Sequence, residues 1–84
     1  MKVLVTGAAG FIGMHVSQIL LARGDAVFGI DNLNDYYDPQ LKRDRLARLT
    51  PHKNFSFEKM DVADRQAIAK LFATEGFERV VHLA

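Results

Sequence analysis

The stretch Lys2-Val3-Leu4-Val5-Thr6-Gly7-Ala8-Ala9-Gly10-Phe11-Ile12-Gly13 constrains the fold more than any other part of the chain. A short, almost wholly apolar run rich in β-branched residues breaks at Gly7 and gives way to helical spacing, the pattern of a buried parallel strand feeding a helix through a glycine turn. Gly7 permits the sharp bend, Gly10 removes a Cβ where a pyrophosphate would approach the main chain, and Gly13 lets the new helix lie close on the strand. The unpaired amides of the helix's first turn then face an anion, reinforced by the positive end of the helix dipole.

Three glycines near a turn are equally well plain loop chemistry, so the spacing alone does not decide. Context does. The string follows a strand, opens a helix, and is followed by Asp31 at the end of the next apolar run, 18 positions after Gly13. That is near the ~20-residue spacing at which a dinucleotide fold sets a carboxylate on a ribose. Nucleotide binding is the expected function.

Eighty-four residues make at most one small domain, which buries roughly 60 to 65% of the surface that its unfolded chain exposes. With 49% hydrophobic and 25% charged residues the composition is that of a globular domain, not a disordered tail. A net charge of +1 gives no electrostatic case for nucleic acid or an anionic membrane as partner. Without cysteine there is neither a disulfide framework nor a thiolate metal site. The apolar run Val3 to Val5 is too short for a signal peptide core, and Ile12 to Ala22 is interrupted by His15, Ser17 and Gln18. A cytoplasmic protein is expected.

After the glycine turn, Ile12, Val16, Ile19 and Leu20 recur at helical spacing and are expected to pack on the sheet. Gly24 supplies a left-handed stop after Arg23. Ala26 to Ile30 reads as a second buried strand, and Asp31 to Asp38 as a polar loop. Asp38 and Pro39 make a helix start, as cap and first residue. The segment Gln40 to Leu49 sets Leu41, Leu46, Ala47 and Leu49 on one side, while Lys42, Arg43, Asp44, Arg45 and Arg48 read as a solvated face.

Phe55 to Met60 alternates as a half-exposed edge strand does. A third helix, from Arg65 to Glu75, carries the stripe Ala67, Ile68, Leu71 and Phe72, with Asp61 or Asp64 as cap and Gly76 as stop. Arg79 to Ala84 begins a fourth strand. The alternation predicts an α/β fold, a parallel sheet with helices on both faces. For a doubly wound dinucleotide fold the strand order is 3-2-1-4, with the first two helices on one face, the third on the other, and the ligand crevice between strands 1 and 4.

These landmarks together carry a resemblance. TGAAGFIG at Thr6 to Gly13, Asp31-Asn32-Leu33, Asp61-Val62 and His82-Leu83-Ala84 resemble successive motifs of the extended short-chain dehydrogenase/reductase family, the NAD-dependent epimerases and dehydratases. The loop GIDNLNDYYDPQLKRDRL, from Gly29 to Leu46, is similar to that of the nucleotide-sugar epimerases that act on UDP-glucuronate. The resemblance implies that residues 1–84 are the opening part of an NAD-binding Rossmann domain, cut within strand 4, and roughly the first quarter of such an enzyme.

The resemblance further implies that Gly7, Gly10, Phe11, Ile12 and Gly13 surround the pyrophosphate of NAD. It implies that Asp31 accepts hydrogen bonds from the adenosine ribose hydroxyls with Asn32 beside it, that Asp61 and Val62 border the adenine, and that Leu83 and Ala84 line the cofactor's path. Read from the residues alone, Asp61 is equally a plain helix cap, and Leu83 and Ala84 are simple core residues. NAD is expected over NADP, because a carboxylate at Asp31 accepts a 2′-hydroxyl but repels a 2′-phosphate, and the nearest cations, Lys42 and Arg43, lie in the next helix.

In the family a hydride passes reversibly between the C4 of a nucleotide sugar and NAD, with a Tyr-x-x-x-Lys pair handling the proton, and the full-length enzyme is expected to be a homodimer. Here Tyr36 is followed four places on by Gln40 and Tyr37 by Leu41. The 84-residue chain therefore carries no catalytic residue of its own, and the alternatives are a non-catalytic dinucleotide-binding module or another NAD-dependent sugar epimerase or dehydratase of the same family. His15, His52 and His82 lie in different elements without a carboxylate at metal-ligand spacing, so no metal site is expected. His15 reads as a helix-surface residue and His82 as a strand residue bonded to its surroundings.

Overall fold

The apolar run after Met1 forms β1 (Lys2–Thr6), and Val3, Leu4 and Val5 are buried on both of its faces. A strand buried on both sides needs a layer on each, and the chain provides them by alternation. α1 (Phe11–Ala22), β2 (Ala26–Asp31), α2 (Pro39–Ala47), β3 (Phe55–Lys59), α3 (Arg65–Thr74) and β4 (Arg79–His82) follow. The computed structural model describes residues 1–33 and 39–84. The proposed cap Asp38 and the tyrosines Tyr36 and Tyr37 lie outside the described residues.

All strands are parallel, in the order β3-β2-β1-β4. Register sets Val5 opposite Gly29 on one side and Val81 on the other. Because side chains alternate along a strand, Val3, Val5 and Val27 join one cluster with Met14 and Leu21 of α1, Leu49 and Phe55. Leu4 and Ile30 join the other, with Leu71 and Ile68 of α3 and with Phe28 and Phe77. The first two helices thus cover one face and α3 the other, as the alternation predicts.

Which side of each helix turns inward differs from the expectation. In α1 the buried residues are Gly13, Met14, Ser17 and Leu21, while Ile12 and Ile19 are exposed. The reason is close approach: a Cβ on Gly13 would stand 2.8 Å from the carbonyl carbon of Gly7 and 3.0 Å from Cα of Ala8. The helix comes that near only without a side chain at position 13; Met14 and Leu21 pack inward and, of the expected stripe, Leu20 still lies on the core while Ile12 and Ile19 face outward.

In α2 Lys42 and Leu46 face inward, continued by Leu49 in the turn after the helix, at i, i+4 and i+7, whereas Leu41 and Ala47 are exposed. The basic residues of this segment are therefore not one solvated face, since Lys42 is buried. In α3 Leu71 is buried and Ala67 and Ile68 are half-buried, but Phe72 is exposed, its ring edge-on to Phe77 at 5.5 Å.

The helix ends answer to local chemistry. Asp64 caps α3, its carboxylate accepting the Ala67 amide at 3.1 Å, while Asp61 accepts the Ala63 amide at 2.9 Å in a turn outside the helix. Gly24 takes the left-handed conformation after Arg23 at φ +90°. Gly76 does not stop α3: the helix leaves through Glu75, which is already extended. Among the described residues no helix is long and apolar enough to cross a membrane.

Candidate functional site

The site lies at the carboxyl ends of β1, β2 and β4, where the chain leaves the sheet. Thr6 ends β1 opposite His82 of β4 and is almost wholly buried. Its hydroxyl accepts the amides of Leu83 at 2.9 Å and Ala84 at 3.3 Å, and it lies 2.7 Å from Nδ1 of His82. With both amides donating to it, the hydroxyl has its own proton to give to Nδ1, which assigns the neutral imidazole's hydrogen to Nε2. One side chain thereby pins the end of β4 beside the glycine turn.

Gly7 begins that turn at φ +74°, and a Cβ there would stand 3.0 Å from the carbonyl of Leu83. Both facts demand glycine. The amides of Gly7 and Ala8 donate to the Ile30 carbonyl of β2 at 2.9 and 3.1 Å, and the Gly10 amide donates back to Gly7 at 3.0 Å. Gly10 caps α1 without a side-chain hydrogen bond. The next amides, of Phe11, Ile12 and Gly13, have no carbonyl behind them in the helix and form its positive end.

Asp31 fastens β2 to this turn. Its Oδ2 accepts the Ala9 amide at 3.1 Å; its Oδ1 accepts the Leu33 amide at 2.8 Å and Nζ of Lys42 at 3.0 Å. The ion pair is sunk in the protein, with the two side chains 3% and 11% exposed. One turn further along α2, Arg45 reaches the Ala9 carbonyl at 3.4 Å and lays its guanidinium 5.8 Å from the centre of the Phe11 ring. Lys42, expected as a nearby cation set apart in the next helix, thus stands directly beside Asp31. Folding α2 back over the end of β2 brings Lys42 there, and a charge buried with its partner avoids the larger penalty of a charge buried alone.

These elements enclose a cavity of about 230 Å³. Gly7 and Gly10 line it at the turn, Asp31 and Asn32 at the end of β2, Asp61 and Val62 after β3, and Leu83 and Ala84 after β4. Three residues of the expected set stand apart from the lining. Gly13 is buried beneath the turn, and Phe11 and Ile12 are exposed. His15 lies on the helix surface, its Nδ1 donating to the Phe11 carbonyl at 2.8 Å and its ring 4.5 Å from that of Phe11.

Ile30, Lys42 and Met60 also line the cavity and were not foreseen. For Lys42 a signal existed. It falls at helical spacing with Leu46 and Leu49, so the stripe that buries α2 runs through a lysine.

The family model for GDP-mannose 4,6 dehydratase matches residues 4–84. Among curated proteins, the chain is 60% identical over 80 residues to an uncharacterized 37.6 kDa protein in the cld 5′ region of Escherichia coli O111:H-, covering 95% of this chain and 24% of that protein. It is 55% identical over 82 residues to UDP-glucuronate 4-epimerase 4 of Arabidopsis thaliana, covering 98% of this chain and 18% of that one. Among solved structures, UDP-glucuronic acid 4-epimerase from Bacillus cereus in complex with NAD superposes with a TM-score of 0.86 at 36% identity, over 100% of this chain and 26% of that one. The chain spans about a fifth to a quarter of the length of the curated relatives that it matches.

Proposed function

The chain belongs to the GDP-mannose 4,6 dehydratase family of NAD-dependent epimerases and dehydratases, and on that premise we propose that residues 1–84 are the opening, NAD-binding part of a nucleotide-sugar 4-epimerase. The reaction proposed for the whole protein is interconversion of UDP-glucuronate and UDP-galacturonate. The observation that carries the reading is Asp31, a buried carboxylate bonded to the Ala9 amide of the glycine turn and lining the same cavity as that turn. A ribose-binding acceptor and an anion-binding helix end are thus locked together as one unit.

The residues suit the cofactor. The Phe11, Ile12 and Gly13 amides would hold the diphosphate, and Gly10 lines the cavity beside them with no side chain to occupy it. Asp31 keeps one lone pair of Oδ2 for a ribose hydroxyl, because its other contacts already occupy Oδ1 twice and Oδ2 once. Val62 and Met60 offer apolar surface to an adenine. At 230 Å³ the cavity falls below the ~300–1,000 Å³ of a full ligand pocket, a size suited to the adenosine end. When bound, NAD supplies reversible acceptance of a hydride.

Thr6 and His82 set the spacing between the turn and the end of β4, along which Leu83 and Ala84 would border the cofactor. The Tyr-x-x-x-Lys pair that the family uses for proton transfer is absent from residues 1–84 and is expected elsewhere in the longer protein. Without it these residues bind and orient but do not turn over.

The test is incubation of the full-length protein with UDP-glucuronate, and separately with UDP-galacturonate, followed by chromatography of both sugars. Approach to one common mixture from either side is the expected result. Conversion confined to UDP-glucose and UDP-galactose, or none at all, would overturn the assignment.

A further inference from the structure

We infer that Lys42, through its ion pair with Asp31, sets how strongly this site distinguishes a ribose 2′-hydroxyl from a 2′-phosphate; the inference rests on the dinucleotide-binding reading above. A carboxylate standing alone at this position would reject a phosphate by charge. Asp31 does not stand alone. Lys42 Nζ lies 3.0 Å from its Oδ1, both side chains are nearly buried, and both residues line the cavity. At that distance the pair presents almost no net charge to a group beyond it, so the repulsion attributed to Asp31 is largely cancelled.

What remains is discrimination by hydrogen bonding. The wall formed by the pair holds one open acceptor position, on Oδ2, and the ammonium hydrogens of Lys42 that Asp31 does not engage. A hydroxyl is donor and acceptor at once and satisfies both partners. A phosphate only accepts, so it suits Lys42 and leaves Asp31 without a donor. Arg45, three residues along the same helix and in reach of the Ala9 carbonyl, adds a second cation near the turn. The native preference for NAD is accordingly moderate, and Lys42 is the residue that holds it so.

Removing either member of the pair therefore moves the preference in opposite directions. Lys42→Met exposes an uncompensated carboxylate and sharpens rejection of NADP. Asp31→Asn keeps the shape but frees the cation, and favours NADP.

The experiment is calorimetric titration of the full-length protein with NAD and with NADP, in the wild type, Lys42→Met, Lys42→Arg, Asp31→Asn and the double variant. Lys42→Met is expected to weaken NADP about tenfold more than NAD, and Asp31→Asn to strengthen NADP relative to NAD by about tenfold, a gain that the double variant loses. Lys42→Arg keeps the charge and is expected to hold the wild-type ratio within about threefold.

Thermal melts establish that each variant is folded; if Lys42→Met is not, the Asp31→Asn and Lys42→Arg ratios decide. An unchanged NAD-to-NADP ratio in folded Lys42→Met, or an Asp31→Asn gain that persists without Lys42, overturns the role of Lys42 while leaving nucleotide binding intact. A wild type that binds neither dinucleotide overturns the functional reading and this inference with it.

Discussion

Replacing Gly13 by alanine sets two well-defined effects against each other. Helix propensity favours the change, since Gly→Ala inside a helix is worth about 1 kcal/mol. Packing opposes it. The added methyl would stand 2.8 Å from the carbonyl carbon of Gly7, closer still to its oxygen, and 3.0 Å from Cα of Ala8. Every one of these neighbours is main chain. A side chain in the way would rotate aside, but the turn is fixed by the Gly7 and Ala8 amides on Ile30 and the Ala9 amide on Asp31.

The steric cost therefore lies at or above the upper end of the ~1–3 kcal/mol typical of overpacking, and the net effect is a destabilisation of about 2 kcal/mol. In thermal denaturation of the full-length protein followed by circular dichroism it corresponds to a fall in Tm of about 4–8 °C, the range for a cooperative unit of about 150–250 residues. Gly76→Ala is the control: nothing lies within 4 Å of its added Cβ and its φ is not positive. It is expected to be neutral or to stabilise by up to ~1 kcal/mol. A Gly13→Ala melt at or above the wild-type temperature would refute the claim that α1 is pressed onto the turn.

Thr6→Val keeps the shape of the side chain but removes the hydroxyl shared by His82, Leu83 and Ala84. It is expected to cost about 1–3 kcal/mol and to speed hydrogen exchange at the Ala84 amide more than at the Leu83 amide, which keeps the Thr6 carbonyl at 3.2 Å; unchanged protection of Ala84 would contradict the role given to Thr6. Asp64→Ala removes the cap of α3 and is expected to cost about 1 kcal/mol in urea unfolding. Asp61→Ala is expected to cost less, since its bond closes a turn outside the helix, and the reverse ranking would mean that the cap is misassigned.

The order of elements and the parallel sheet were legible because they rest on local signals, and the 3-2-1-4 arrangement followed from the dinucleotide fold that those signals identify. The spacing of apolar residues changes from strand to helix at Gly7, Gly24 ends α1 in the left-handed conformation, and Asp31 closes β2. The inward faces of α1 and α2 were legible only in part, at Leu20, Leu46 and Leu49, for two physical reasons. Apolar spacing assumes that the largest aliphatic residues face the core, whereas α1 approaches the turn so closely that Gly13 and Ser17 take that place and Ile12 and Ile19 turn outward. The sequence also reads a lysine as solvated, and only the fold brings Lys42 and Asp31, 11 residues apart, into one buried pair. The Thr6 to His82 link, across 76 residues, likewise has no local signature.

The central claim is that the amino end of α1 and the Asp31 carboxylate act together as one dinucleotide site. A crystal structure of the full-length protein grown with NAD tests it most directly. The account predicts the diphosphate within hydrogen-bond distance of the Phe11, Ile12 or Gly13 amides, with an adenosine ribose hydroxyl on Oδ2 of Asp31. A dinucleotide bound elsewhere, or one whose ribose leaves Asp31 untouched, would contradict it.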